Sequence, residues 1–172
     1  MKTKSKQEAG YMNRVFLDTN ILIDILIDEN NSKEYDKIRG SADNIKNSRV
    51  VIEEYLEQGY TLVVNTTSIT NTTYFLQDRQ KIATDIVIDK ISMIEEDEDL
   101  FLVVLETKQI RQKAREYAKE NDADYEDALQ YFCAKESGCD TIITNDKNFP
   151  KLDIRLTRTN KNLENYYPNA IK

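Results

Sequence analysis

Val15-Phe16-Leu17-Asp18-Thr19-Asn20-Ile21-Leu22-Ile23-Asp24 is the stretch whose reading decides the fold. Val15-Phe16-Leu17 is a short apolar run, the signature of a strand buried on both faces. The run stops at Asp18-Thr19-Asn20, after which Ile21, Leu22, Ile25 and Leu26 fall on a helical stripe. A buried strand that turns directly into a helix is the first half of a β-α-β unit. Sheets built from such units bind ligands beyond the carboxyl ends of their strands, which is where Asp18 stands.

Working outward, Thr61-Leu62-Val63-Val64, Phe101 to Leu105 and Thr141-Ile142-Ile143-Thr144 read as further strands, and Ile154 to Leu156 as a fifth. Val50 to Gln58 predicts a helix closed by Gly59. Ser68 to Gln77 predicts another after a Thr/Ser-rich cap region. Ile82, Ile86, Ile91 and Ile94 mark a third helix, Ile110, Ala114 and Tyr117 a fourth, and Asp124 to Glu136 a fifth. Residues 28–49 are polar and predict a loop plus a helix, and the acidic run Glu95 to Asp99 predicts a solvated loop. Strands alternating with helices make this an α/β chain with a central parallel sheet of about five strands, flanked by helices. The domain is expected to run from 12 to 160. Residues 1–11 form a flexible N-terminal tail with Met12 as an alternative start, and residues 161–172 a C-terminal tail.

The composition narrows the chemistry. The 172 residues suffice for one domain with a proper core. No apolar segment follows the N-terminal lysines, so no signal peptide is expected. Val15 to Ile27 is too short and too polar to span a bilayer. Cys133 and Cys139 read as buried reduced thiols, and the expected location is the cytoplasm. The chain contains no histidine. That excludes Ser–His–Asp and Cys–His catalysis, histidine zinc sites and nucleases with a histidine base. Hydrolysis here must use carboxylates. The net charge of −7 argues against a general nucleic-acid binder. It argues less against an enzyme that holds a short stretch of RNA through a metal.

The polar residues after the strands are the candidates. Asp18 follows the first, Asn65 to Ser68 the second, with Asn71 one turn into the next helix. Thr144, Asn145 and Asp146 follow the fourth. Asp124 and Asp127 open a helix three residues apart, on one face. Each has an ordinary alternative: Asp18 and Asp124 as helix caps, Asp127 as a first-turn acid favoured by the macrodipole, Asp146 as a turn residue. Together they point to one end of the sheet. Gathered carboxylates repel and call for a cation, and Mg²⁺ or Mn²⁺ takes such oxygen ligands while keeping water and phosphate in its shell.

Three motifs carry a resemblance. Val15 to Asp24 resembles the opening motif of PIN domains, especially the VapC-like toxins of toxin–antitoxin systems. Asp124-Tyr125-Glu126-Asp127-Ala128-Leu129-Gln130 is similar to their third motif, and Thr144-Asn145-Asp146-Lys147-Asn148-Phe149 to their fourth. The resemblance covers roughly residues 12–160. It implies a PIN fold and a Mg²⁺- or Mn²⁺-dependent endoribonuclease, commonly dimeric and held inactive by an antitoxin. By position it makes Asp18, Asp127 and Asp146 metal ligands and Asp124 a ligand or its support. Thr144 would orient the site, with Asn20 and Asn71 supporting it. The family usually places Glu where Asn71 stands, and Asn148 replaces a common Asp. Lys147, Lys151, Arg155 and Arg158 are candidates for lining an RNA backbone, against the alternative of scattered solvated charge. Tyr166 and Tyr167 are left between core packing, a dimer surface and base stacking.

The rival is a PIN fold that has lost catalysis and binds protein partners, for which Asn71 and the negative charge speak. A phosphatase with Asp18 as nucleophile, of the haloacid-dehalogenase kind, expects a second Asp where Asn20 stands.

Overall fold

β1 (Arg14–Leu17) alternates its side chains across the sheet, and both sides are dry. Val15 and Leu17 enter one apolar cluster and Phe16 the other. β2 (Thr61–Asn65) is buried throughout and does the same, with Leu62 and Val64 on one side and Val63 on the other. These two strands, with β3 (Phe101–Val104), β4 (Thr141–Ile143) and β5 (Arg155–Thr157), form one fully parallel sheet in the order β3-β2-β1-β4-β5. The computed structural model describes residues 13–27, 42–164 and 166–167. The expected N-terminal tail, residues 28–41 and half of the expected C-terminal tail lie outside them.

Six helices among the described residues cover the sheet. On the Val15/Leu17 side lie α1 (Thr19–Leu26), α2 (Ala42–Glu57), α3 (Thr66–Tyr74) and α4 (Thr84–Glu96). On the Phe16 side lie α5 (Lys108–Asn121) and α6 (Tyr125–Glu136). Gly59 ends α2 with φ +80, a left-handed conformation that L side chains rarely adopt.

Three expectations shift. α2 starts at Ala42, well before Val50; Ile45 and Ser48, three residues apart, are buried on one face of this otherwise polar stretch. α3 continues into a π-helical turn, Phe75–Arg79. Glu95 and Glu96 form the last turn of α4 instead of a loop. Tyr167 packs on the core, its ring 5.7 Å from that of Tyr55.

The strand order reverses at β1. From there the chain builds outward to β2 and β3 on one side and to β4 and β5 on the other. Loops leaving β1 and β4 therefore diverge and open a crevice at their carboxyl ends, the usual ligand position in such sheets.

Candidate active site

Asp18 and the Thr144–Asp146 loop flank that crevice. Leu17 is paired with Ile143, and the Asp18 N–H donates to the Ile143 carbonyl at 3.0 Å, so the two loops leave the sheet side by side. Asp18 is at the N-cap of α1, but its carboxylate makes no capping bond. It accepts instead from the Thr144 hydroxyl at 2.5 Å and from the Asn20 amide. Thr144 Oγ1 also accepts the Asp146 N–H at 3.0 Å, and Asn20 Oδ1 accepts the Asn145 N–H at 3.2 Å. One threonine and one asparagine thus lock the loop after β4 to the acid after β1.

α6 enters from the other face of the sheet. Asp124 caps it, accepting from the N–H groups of Glu126 at 2.8 Å and Asp127 at 3.2 Å. Asp124 is thus the helix cap that the sequence allowed, and its charge also raises the carboxyl of Asp127. Asp127 turns inward. Burial pushes its carboxyl up to about 7, helped by the charges of Asp18, Asp146, Asp124 and Glu126. Burial likewise pushes Asp18 up to about 6. Hydrogen bonds from Thr144 and Gln130 pull it down, and the charge of Asp146 pushes it up. The structure therefore brings Asp18, Asp127 and Asp146 within electrostatic reach, with Asp124 at the rim.

Asn71 stays apart. It is half-buried on α3 and makes no side-chain hydrogen bond among the described residues. The expected basic path also breaks up. Arg155 opens β5, beside Thr141, and both donating guanidinium nitrogens reach the Thr141 hydroxyl, the nearer at 2.8 Å. A residue that begins a parallel strand lies at the end of the sheet opposite one that follows it, so Arg155 cannot line the crevice. Lys151 pairs with Glu164 at 3.3 Å. Arg158 is buried and donates to the carbonyls of Thr144, at 2.9 Å, and Asp146. Burial holds its guanidinium below the usual value, while the charges of Asp146 and Asp18 raise it. Of the four, Lys147 alone is both exposed and next to a site acid.

Several contacts escaped the sequence reading. Thr19 Oγ1 lies 3.0 Å from both Ser68 Oγ and Glu126 Oε1, and Gln130 Nε2 donates to it at 3.2 Å. This cluster joins α1, α3 and α6 behind Asp18. Its only sequence signal was the i, i+4 spacing of Glu126 and Gln130. On the other side Asp24 accepts from Ser48 at 2.7 Å. Ser48 lies 2.8 Å from Thr159 Oγ1, which accepts from the Asn145 amide at 2.7 Å.

The donor chemistry suits a hard divalent cation: oxygen ligands, partly buried, repelling one another, with Arg158 engaged on backbone carbonyls. Among the described residues, no three acidic or thiol side chains are gathered tightly enough to enclose an ion by themselves. No helix among those residues is long and apolar enough to cross a membrane.

Comparison with known proteins agrees with this geometry. The model of the PIN domain family matches residues 15–155. Ribonuclease VapC1 of Aquifex aeolicus strain VF5 is 30% identical over 157 residues, covering 89% of this chain and 95% of that protein. Among solved structures, Mycobacterium tuberculosis VapC20, described as a sarcin-ricin loop cleaving toxin, superposes with TM-score 0.60 at 13% identity, covering 82% of this chain and 98% of its own. FitAB bound to an IR36 DNA fragment gives TM-score 0.55 at 15% identity over 84% and 94% of the two chains. VapBC2 of Rickettsia felis, bound to a fragment of its promoter, gives 0.54 at 14% over 84% and 98%. A family match over most of the chain, a VapC relative of nearly the same length and a sheet that turns its acids into one crevice agree: the chain belongs to the PIN-domain family and is VapC-like.

Proposed function

We propose that this protein is an endoribonuclease that hydrolyses RNA phosphodiesters with the help of Mg²⁺ or Mn²⁺, as the toxin of a toxin–antitoxin pair. The observation that carries the reading is the mutually repelling set at the crevice between β1 and β4: the buried Asp18 and Asp127 with the half-buried Asp146. The VapC1 relative, named as a ribonuclease, supports the activity. The FitAB and VapBC2 assemblies support an antitoxin partner. A homodimer is part of the same reading.

Asp18, Asp127 and Asp146 would hold the ion, with Asp124 beside them. A bound divalent cation would lower the pKa of a water so that it gives up a proton and leaves hydroxide as nucleophile, and would neutralise charge on the phosphate. Because the three acids do not close around a point, water and substrate oxygens would complete its shell. The chain's own residues fix the acids. Thr144 and Asn20 orient the Asp18 carboxylate, Thr144 also sets the turn that carries Asp146, and Arg158 holds that turn from behind. Lys147, exposed beside Asp146, is a cation available to a neighbouring phosphate.

The test is cleavage of a mixed panel of structured and single-stranded RNAs with Mn²⁺, Mg²⁺ or EDTA, beside Asp127→Asn. Metal-dependent cutting that the variant lacks is expected. Asn71, which offers no charge, favours a second reading, a PIN fold serving only as a binding module. No cutting by well-folded, partner-free wild type would select it.

A further inference from the structure

Gln130 lies on α6 almost one turn beyond the acid Asp127, and it is 1% exposed. We propose that Gln130, acting with Thr19, is a positioning residue that fixes the Asp18 carboxylate from the α6 side of the crevice. The proposal deepens the ribonuclease reading and rests on it for the reaction, but metal binding measures the positioning on its own.

Packing alone does not call for an amide here. The neighbours Ala128, Leu129, Tyr131, Cys133 and Ala134 form the apolar cluster under α6, and Gln130 belongs to neither cluster of the core. Its Oε1 is buried with no hydrogen-bond partner among the described residues. A leucine would fill a similar volume without that cost. What the amide provides is its other end. Nε2 donates to Thr19 Oγ1 at 3.2 Å and to Glu126 Oε1 at 3.3 Å. The same end also draws the Asp18 carboxyl down, so it stands within reach of that acid. Ionised carboxylates only accept, so Asp18 and Glu126 decide which end of the amide faces them.

Thr19 passes the constraint on. It follows Asp18 directly, as the first residue of α1. Its hydroxyl accepts from Gln130 and has one proton to give, with Glu126 Oε1 and Ser68 Oγ both 3.0 Å away. Ser68 gives its own proton to Oδ1 of Asn65, the cap of α3. The start of α1 is therefore tied to α6 and α3 at once. Thr144 and Asn20 tie the Asp18 carboxylate to the loop after β4. Gln130 and Thr19 tie it to α6, the helix that carries Asp127. Two acids from separate elements thus keep a set separation before an ion arrives. Losing a support of this kind typically costs about tenfold to a hundredfold in metal affinity or activity.

The experiment compares full-length wild type with Gln130→Leu, Thr19→Val and Thr19→Ser. Mn²⁺ binding to the metal-free proteins is followed by the electron paramagnetic resonance of free Mn²⁺, melting is followed in EDTA, and RNA cleavage is followed with Mn²⁺. Gln130→Leu and Thr19→Val should each weaken Mn²⁺ binding about tenfold and lower kcat about tenfold, with KM for the RNA within about twofold of wild type. Thr19→Ser, which keeps the hydroxyl, should recover most of both losses. Should Gln130→Leu fail to fold, Gln130→Met, unbranched like glutamine and without a donor, takes its place. A lower melting temperature with Mn²⁺ affinity and kcat unchanged marks a merely structural role and overturns the proposal. An Mn²⁺ affinity equal in all the folded proteins, or Thr19→Ser as weak as Thr19→Val, also overturns it. If folded wild type cuts no RNA, the ribonuclease reading falls and the Mn²⁺ titration still decides the positioning.

Discussion

The acids gathered around Asp18 and the acids at the opposite end of the sheet are treated in opposite ways. At the amino ends of the strands, acids meet bases or donors in the open: Asp153 with Lys135 at 2.8 Å and with the Tyr131 hydroxyl, Glu136 with Lys113 at 2.6 Å. Hydrogen bonds from Lys135 and Tyr131 hold the Asp153 carboxyl below its usual value. At the carboxyl ends, Asp18 and Asp127 are buried beside further acids, and both carboxyls are pushed up. Exposed pairs contribute little to stability. Buried like charges oppose it, and nothing in the packing of the core requires them. The carboxyl end therefore carries an electrostatic debt that a bound cation would cancel.

The sharpest way to break this contrast is Asp18→Asn. Cleavage should fall by at least about a hundredfold, while the metal-free protein melts no lower than wild type at pH 8. Rate assays and thermal melts check both halves, and retained cleavage in the folded variant would remove Asp18 from the site. Next in size is metal-linked stability. Mn²⁺ at about a hundred times its dissociation constant should raise the melting temperature by about 5–10 °C. Asp127→Asn should lose most of that rise.

The pH dependence sharpens the contrast further. The carboxyls of Asp18 and Asp127, raised to about 6 and about 7, hold their protons more tightly folded than unfolded. Their stabilising effect is complete below the ordinary carboxylate value of 3.8 and is lost as pH rises through 6 and 7. Melts in EDTA should thus show Asp127→Asn level with wild type at low pH and more stable than it at pH 8. The smallest effect belongs to the other end: Lys135→Ala should leave cleavage unchanged and the melting temperature nearly so.

The sheet and its two decisive loops were legible because parallel strands announce themselves as apolar runs and the residue after each run has a known direction. That logic placed Asp18 and Thr144 together. The same logic, applied to Ile154 to Leu156, would have put Arg155 within a strand and not beyond its carboxyl end; nearness in sequence to Asp146 was the wrong guide. Arg158 was misleading for a different reason. Sequence gives its charge but not its burial, and this guanidinium faces backbone carbonyls. The Thr19–Ser68–Glu126–Gln130 cluster was hidden because its members come from three helices, and short polar side chains carry no periodic signal. The first turns of α2 were hidden because Ile45 and Ser48 alone mark their buried face.

Arg158, Thr159 and Asn160 also have a meaning in time. They hold the loop that carries Asp146, yet they follow it in the chain, beyond β5. A nascent chain that has reached residue 150 already contains Asp18, Asp124, Asp127 and Asp146 but lacks β5 and these three residues. Domains made on the ribosome begin to order from the amino end. The acids of the crevice are therefore synthesised before the contacts from beyond β5 that fix the loop between them.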